Sequence, residues 1–208
     1  MTQSCTSAAV VHDSLGTQRS GTGWHDGPVT GLKIERLPSD GLARLADIDR
    51  SEHVETHYRQ EGDRLIAEPV DWQVPDFAHD GEGEYSVAGL VGLWQPVVDG
   101  GGILLGALEG NRLVGLGLLR HDVRPRMAQV ALLFVSHAER RLGVARALMD
   151  EMDRLARAGG ARSMYVSAIP SGSAVGFYLA QGFTPTAEPL PELFALEPED
   201  IHMTRSLA

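Results

Sequence analysis

The stretch LFVSHAERRLGVARALM, residues 133–149, decides the fold. An apolar run, Leu132 to Val135, reads as a buried strand that passes through a short polar loop into a helical pattern carried by Val144, Leu148, Met152 and Leu155. The sequence places the first helical turn at Arg140–Ala145. The opening turn of a helix has unpaired N–H groups and the positive end of the dipole, so it is suited to an anion. Gly143 and the small Ala145 let a phosphate approach the backbone, and Arg140, Arg141 and Arg146 add positive charge. The pattern points to a phosphate-bearing ligand; the plainer alternative is a helix start with solvated arginines. GxxxxGK[ST] is absent, and so is GxGxxG between a strand and a helix.

Outward from this stretch, ILLGALEG and RLVGLGLLRHDV, separated by Gly110 and Asn111, read as a hairpin, and MAQVALLFVS follows as a third strand. Gly159 and Gly160 end the helix after residue 143. SMYVSAI then reads as a strand, SAVGFYLAQG as a short helix and IHMTRSL as a final strand. Upstream, LKIERL alternates as a strand, GLARLADIDRSEHVETHYRQ reads as helical, and DWQVPDFAHDGEGE reads as a surface loop. YSVAGLVGLWQPVV reads as a helix stopped by Pro96 and Gly100–Gly102. The order predicts an α/β, or mixed α+β, layered domain over residues 31–208. Residues 1–30 show no sustained periodicity and are expected to be a flexible leader.

Of the 208 residues 43% are hydrophobic and 22% charged, ordinary for one soluble domain. No apolar run approaches the roughly 18–20 residues that span a bilayer. Nor does the start of the chain resemble a secretory signal, so a cytoplasmic protein is expected. Cys5 is the only cysteine, which excludes an intrachain disulfide and a Cys-based zinc site. The net charge of −10 argues against nucleic acid. Residues 121–162 nevertheless hold eight Arg against five acids, a basic island in an otherwise acidic chain.

Together, Arg140, Gly143 and Ala145 match [Q/R]-x-x-G-x-[G/A], with Val135 upstream. SGSAVGFYLAQGF supplies Ser171, Ala174, Tyr178, Gly182 and Phe183 against N-x-x-A-x-x-x-Y-x-x-x-G-F, with Ser171 where Asn is common. In these two motifs the chain resembles the GCN5-related N-acetyltransferase (GNAT) family. The resemblance implies a mostly antiparallel central sheet with a splayed parallel pair, flanking helices, and acetyl-CoA as co-substrate without a metal. It further implies backbone contacts from Leu133, Phe134 and Val135 to the pantetheine arm and acetyl group. The backbone of Arg141, Leu142, Gly143, Val144, Ala145 and Arg146, beside Arg140, would hold the pyrophosphate, with Ser171 and Ala174 further along. Tyr178 would protonate the leaving thiolate; its plainer role is a half-buried aromatic that packs the short helix. Members are often dimers, so a homodimer is a further expectation.

Many relatives carry a glutamate on the strand before the phosphate loop, where this chain has Gln129-Val130-Ala131-Leu132. The base candidates elsewhere are Glu52, Glu55, His121 with Asp122, and His202, with a water relay as the alternative. His53 and His57, four apart, suggest a metal pair, but Glu55 stands wrongly for HExxH and a solvated polar face is preferred. Acidic segments 68–84 and 188–200 either line an acceptor site for a cationic amine or are solvated loops. Trp72 and Trp94 either pack the core or wall the cleft. The sequence therefore predicts an N-acetyltransferase for a small-molecule primary amine. A protein N-terminus or lysine as acceptor, or a non-catalytic acyl-CoA sensor, are the alternatives.

Overall fold

The computed structural model describes residues 31–79 and 86–207; the expected leader, with Cys5, lies outside them. Two strands dominate the middle of the fold: β5 (Arg112–Arg124) and β6 (Met127–Val135), both buried along most of their length. Strands buried on both faces need cover on both sides. One side is covered by α2 (Val144–Ala158) and α3 (Gly172–Ala180), the other by a 3-10 segment (Ser39–Asp47) and α1 (Val87–Asp99).

The remaining strands are β1 (Leu32–Arg36), β4 (Ile103–Glu109), β7 (Ser163–Ala168), β8 (Thr184–Pro185) and β9 (Ile201–Ser206). They complete a seven-stranded sheet in the order β1-β4-β5-β6-β7-β9-β8. Every neighbouring pair is antiparallel except β6–β7, which is parallel. A short α4 (Pro191–Leu196) precedes β9. This is the mixed α+β architecture expected from the sequence, with one parallel pair in a mostly antiparallel sheet. No helix among the described residues is long and apolar enough to cross a membrane.

Upstream of α1 the structure departs from the sequence reading. Only Ser39–Asp47 is helical; β2 (Glu52–Glu61) and β3 (Arg64–Val74) form a separate antiparallel hairpin where a helix and a loop were expected. Glu52 and Val54 are buried while His53 and Glu55 are exposed. That period of two is satisfied by a strand, and the branched Val54 and Thr56 suit it. Two further expectations give way locally. Pro96 lies inside α1 without stopping it, and the end is closed by Gly100 and Gly102 donating to the carbonyls of Pro96 and Val97. The segment 188–200 is not wholly solvated loop, because α4 buries Leu193 and the carboxylates of Glu197 and Asp200 are buried too.

Gly115 of β5 governs how closely α2 approaches the sheet. A Cβ there would meet Val144 Cγ1 at 3.0 Å, Leu148 Cδ1 at 3.1 Å and the Phe134 carbonyl at 3.2 Å. Gly115→Val is expected to overpack this contact and lower unfolding free energy by about 1–3 kcal/mol, read by urea denaturation. An unchanged midpoint would show that α2 has room to move.

Candidate active site where β6 and β7 part

Four residue pairs, Met127↔Ser163 to Val130↔Val166, hold β6 to β7. The next residue, Ala131, is skipped in the β5–β6 register, which steps from Leu119↔Val130 to Leu118↔Leu132. Such a bulge bends a strand and increases its twist. Beyond it, Leu132–Val135 stay paired to β5 while the ladder to β7 has ended, so the parallel strands open a gap towards their C-terminal ends. Leu133 and Val135 turn their side chains to the α2 face, and Phe134 turns to the other, edge-on to Phe77 at 5.1 Å.

The polar loop runs from the end of β6 into α2. The helix begins at Val144, later than the sequence suggested, because Arg141 (φ 66°) and Gly143 (φ 82°) adopt left-handed conformations and turn the chain before it. Gly143 is the residue type that takes this conformation without cost. The N–H groups of residues 141–146 donate to no protein acceptor among the described residues. Six consecutive donors at the positive end of a 15-residue helix match the oxygens of a diphosphate. Val144 and Ala145 bury their side chains in the core and present only backbone, whereas Arg141, Leu142 and Arg146 are exposed.

Arg140 differs from the other two arginines. Its guanidinium turns inward and donates from Nε to the Val135 carbonyl (3.2 Å) and from an Nη to the Arg50 carbonyl (3.0 Å). It also lies 3.7 Å from the Glu52 carboxylate. Burial lowers its pKa, and Glu52 and Asp49 oppose that. The loop's outward charge therefore comes from Arg141 and Arg146.

Across the gap, Ser171 caps α3 by accepting from the Ala174 N–H at 3.3 Å and bonding Ser173 at 2.8 Å. Its hydroxyl is thus used in fixing the helix, and Ala174 packs in the core. Tyr178 is fully buried between Phe177 and Phe183, at ring distances of 5.2 and 5.3 Å. Its hydroxyl has no hydrogen-bond partner among the described residues, and neither does Gln129 Oε1 on β6. Burial, with the Asp200 carboxylate, pushes the Tyr178 pKa far above its ordinary value, so the hydroxyl keeps its proton.

The structure disperses the base candidates. Glu52 and Glu55 stand on a strand, not a helix; Glu52 is paired with Arg140, and Glu55 is exposed at an irregularity of the hairpin. His121 packs against Gly159 at the end of α2 away from the loop, beside the exposed Asp122. His202 is buried, with Nε2–H donating to the Glu197 carbonyl (3.0 Å), which leaves Nδ1 to accept from the Tyr165 hydroxyl (2.7 Å). Both ring nitrogens are occupied, so His202 does not reach the gap directly. Tyr165 was not singled out in the sequence; it looks like any strand aromatic until β9 brings His202 beside it. His53 faces Asp71 across the hairpin at 2.6 Å, His57 packs at a tilt against Trp72, and Trp94 is in the core.

Residues 93–192, from within α1 to α4, match the family model described as Acetyltransferase (GNAT) domain. Over that stretch, a little under half of its length, the chain is similar to the GNAT acetyltransferases. That stretch contains the gap, the loop and Tyr178, while the β2–β3 hairpin and β9 fall outside it. No curated protein matches the sequence. Among solved structures, a nourseothricin acetyltransferase is similar at 20% identity and TM-score 0.63, over 86% of this chain and 99% of that one. A Bacillus anthracis str. Ames protein, described as a streptothricin acetyltransferase and solved with acetyl coenzyme A, aligns at 18% identity and TM-score 0.60, over 83% of this chain and 95% of its own. Ard1 from Thermoplasma volcanium aligns at 18% and TM-score 0.55, over 86% and 99%. At these identities the likeness is one of fold, and it covers more than four fifths of this chain.

Burial lowers the His202 pKa below the ordinary value of 6.5, with the bond to Glu197 opposing. The unfolded chain then binds this proton more readily, so the stability tied to neutral His202 is present above about pH 6.5 and lost as pH falls towards the folded pKa. His202→Gln should remove up to ~1.4 kcal/mol per pH unit of that slope. Unfolding free energies of both proteins between pH 7 and 5 check this; parallel curves would assign the slope to other groups.

Proposed function

We propose that the protein transfers an acetyl group from acetyl-CoA to a primary amine of a small molecule, by direct attack of the amine on the thioester. The observation that carries this reading is a set of three features on the elements that flank one gap. They are six unpaired N–H donors at residues 141–146, an opened strand edge at Leu132–Val135, and a buried tyrosine hydroxyl without a protein partner. These are the complements of a diphosphate, a pantetheine amide chain and a sulfur atom. Acetyl-CoA, when bound, supplies an acyl group already activated as a thioester.

The chain's own residues then have separable tasks. The N–H groups of residues 141–146 hold the diphosphate, with Arg141 and Arg146 adding outward charge. The free edge of β6 at Leu133 and Phe134 offers backbone partners to the arm, while the Val135 carbonyl is already committed to Arg140. Tyr178 donates a hydrogen bond to the sulfur as the carbon–sulfur bond breaks. Its proton is held more tightly than a thiol's, whose pKa is near 8.5, so complete transfer to the thiolate runs uphill. Tyr178 therefore acts chiefly by stabilising charge on the sulfur, and the amine nitrogen supplies the proton that finally neutralises it. No carboxylate occupies the strand position of Gln129, so this reading has the amine enter neutral or lose its proton to water.

An acidic chain outside one basic island suits a cationic amine. The neighbours named for nourseothricin and streptothricin acetylation support a small-molecule acceptor over a protein one. Gln129, on the strand where many relatives carry a glutamate, favours one rival reading, an acyl-CoA sensor without transferase activity.

Two variants test the proposal. Gly143→Glu places a carboxylate among the donors and strains a left-handed residue; it should abolish coenzyme A binding in calorimetry, while Gly143→Asn, which tolerates that conformation, keeps most of it. Equal affinity in all three proteins would remove the loop from the reading. In acetyl-transfer assays over a panel of amines, Tyr178→Phe should lower kcat by about 10²–10³-fold with little change in the KM for acetyl-CoA. Binding without transfer to any amine would establish the sensor instead.

A further inference from the structure

Strand β2 bridges the two strands that part. At its start, residues 49–52 are stitched to the segment that follows β6. Asp49 N–H donates to Ser136 Oγ (3.2 Å), His137 N–H donates to the Asp49 carbonyl (2.9 Å), and His137 Nδ1 bonds the Ser51 carbonyl (2.9 Å). Arg140 completes the seam through the Arg50 carbonyl and Glu52. Six residues on, β2 is stitched to the segment that follows β7. Tyr58 N–H donates to the Pro170 carbonyl (2.7 Å), and His57 pairs with Ser171. Thr56 lies so close to Gly172 that a Cβ there would meet it at 3.0 Å. Gln60 then reaches the Thr186 carbonyl (2.7 Å) and accepts from the His202 N–H (3.0 Å). A strand rises roughly 3.3 Å per residue, so Glu52 to Tyr58 is a crosspiece of about 20 Å between the ends of β6 and β7.

Within this crosspiece the Arg140–Glu52 contact is distinctive. Both side chains are nearly inaccessible, at 6% and 4% exposure, and Arg140 is the residue immediately before the row of N–H donors. Its guanidinium ties three backbones together: its own loop, the end of β6 at Val135, and the start of β2 at Arg50. A change in order at residues 141–146 therefore reaches the hairpin through a side chain that has no other seat. A charge left buried without its partner is costly, so the pair acts as one unit.

We propose that Arg140 and Glu52 are positioning residues that pin β2 across the β6–β7 gap and couple occupancy of the 141–146 loop to order in the β2–β3 hairpin. The proposal rests on the reading that this loop binds coenzyme A. Rigidifying one end of a linked network makes ordering of the other less costly, which is a coupling between sites without a large displacement.

Hydrogen exchange on the full chain, with and without coenzyme A, tests it. In the wild type, saturating coenzyme A should slow exchange of amides in residues 52–61 by about tenfold, the size of a typical coupling between contacting groups. In the double variant Arg140→Met with Glu52→Met, a buried pair replaced by apolar side chains of similar length, that slowing should vanish at coenzyme A concentrations saturating the variant. Glu52→Gln, which keeps the shape and removes the charge, should reduce it several-fold and serves if the double variant does not fold. Coenzyme A bound by the wild type without slower exchange in 52–61 would overturn the coupling and leave the functional reading standing. Equal slowing in wild type and variants would overturn the role of the pair. Loss of all coenzyme A binding in a folded variant would make Arg140 part of the ligand site itself, which also overturns it. No binding by the wild type would instead remove the functional reading, and this inference with it.

Discussion

A single extra residue in β6 organises the rest of the molecule. The parallel pairing with β7 lasts for four residue pairs and ends at the bulge of Ala131. A bulge costs ladder hydrogen bonds, and the strand keeps only its β5 partner beyond it. The energy to hold β6 in that direction comes from both faces, through Leu133 and Val135 under α2 and Phe134 under Phe77. Because Gly115 lets α2 lie close to the sheet, the first turn of that helix is brought to the mouth of the gap. Donors and open strand edge meet there for this reason, and Tyr178 stands on α3, the helix that follows β7, the other strand of the pair.

Charge is divided around this point by burial. Arg141 and Arg146 are exposed and act through the field they create outside the loop. Arg140 is withdrawn from solvent, where an arginine is costly unless every donor group is answered. Glu52 and two carbonyls answer it, and in doing so tie the GNAT loop to a hairpin that the family match does not include. On the far side, burial favours the neutral ring of His202, whose two nitrogens are taken up by Tyr165 and the Glu197 carbonyl. Not every buried polar atom is answered in this way: the Tyr178 hydroxyl on α3 and Gln129 Oε1 on β6 have no hydrogen-bond partner among the described residues.

The C-terminal two thirds of the fold was legible in the sequence. Gly110 and Asn111 mark the β4–β5 hairpin, and the 3.6 periodicity of Val144, Leu148, Met152 and Leu155 marks α2. The strands after it are short, apolar and bounded by glycine or proline. The N-terminal third was not legible in the same way. His53 and His57 share a face at four-residue spacing whether the backbone is a helix or a strand, and only the alternation of Val54, Thr56 and Tyr58 separates the two. Local propensity does not decide so short a segment; the seam to residues 135–140 and to Pro170 does.

The sequence by itself determined the order of strands and helices from β4 onward, the glycine that turns the loop, and the residue types around it. Those follow from periodicity, from the left-handed freedom of Gly143, and from the chemistry of each side chain. Only the tertiary structure decided that β6 and β7 part at Ala131, and that Arg140 turns inward to Glu52 while its neighbours turn out. It also decided that His202 spends both nitrogens on Tyr165 and Glu197. Apart from His202 with Glu197, these are contacts between residues 35 or more positions apart, and a side chain's direction is set by whichever distant partner lets it be buried with its hydrogen bonds satisfied.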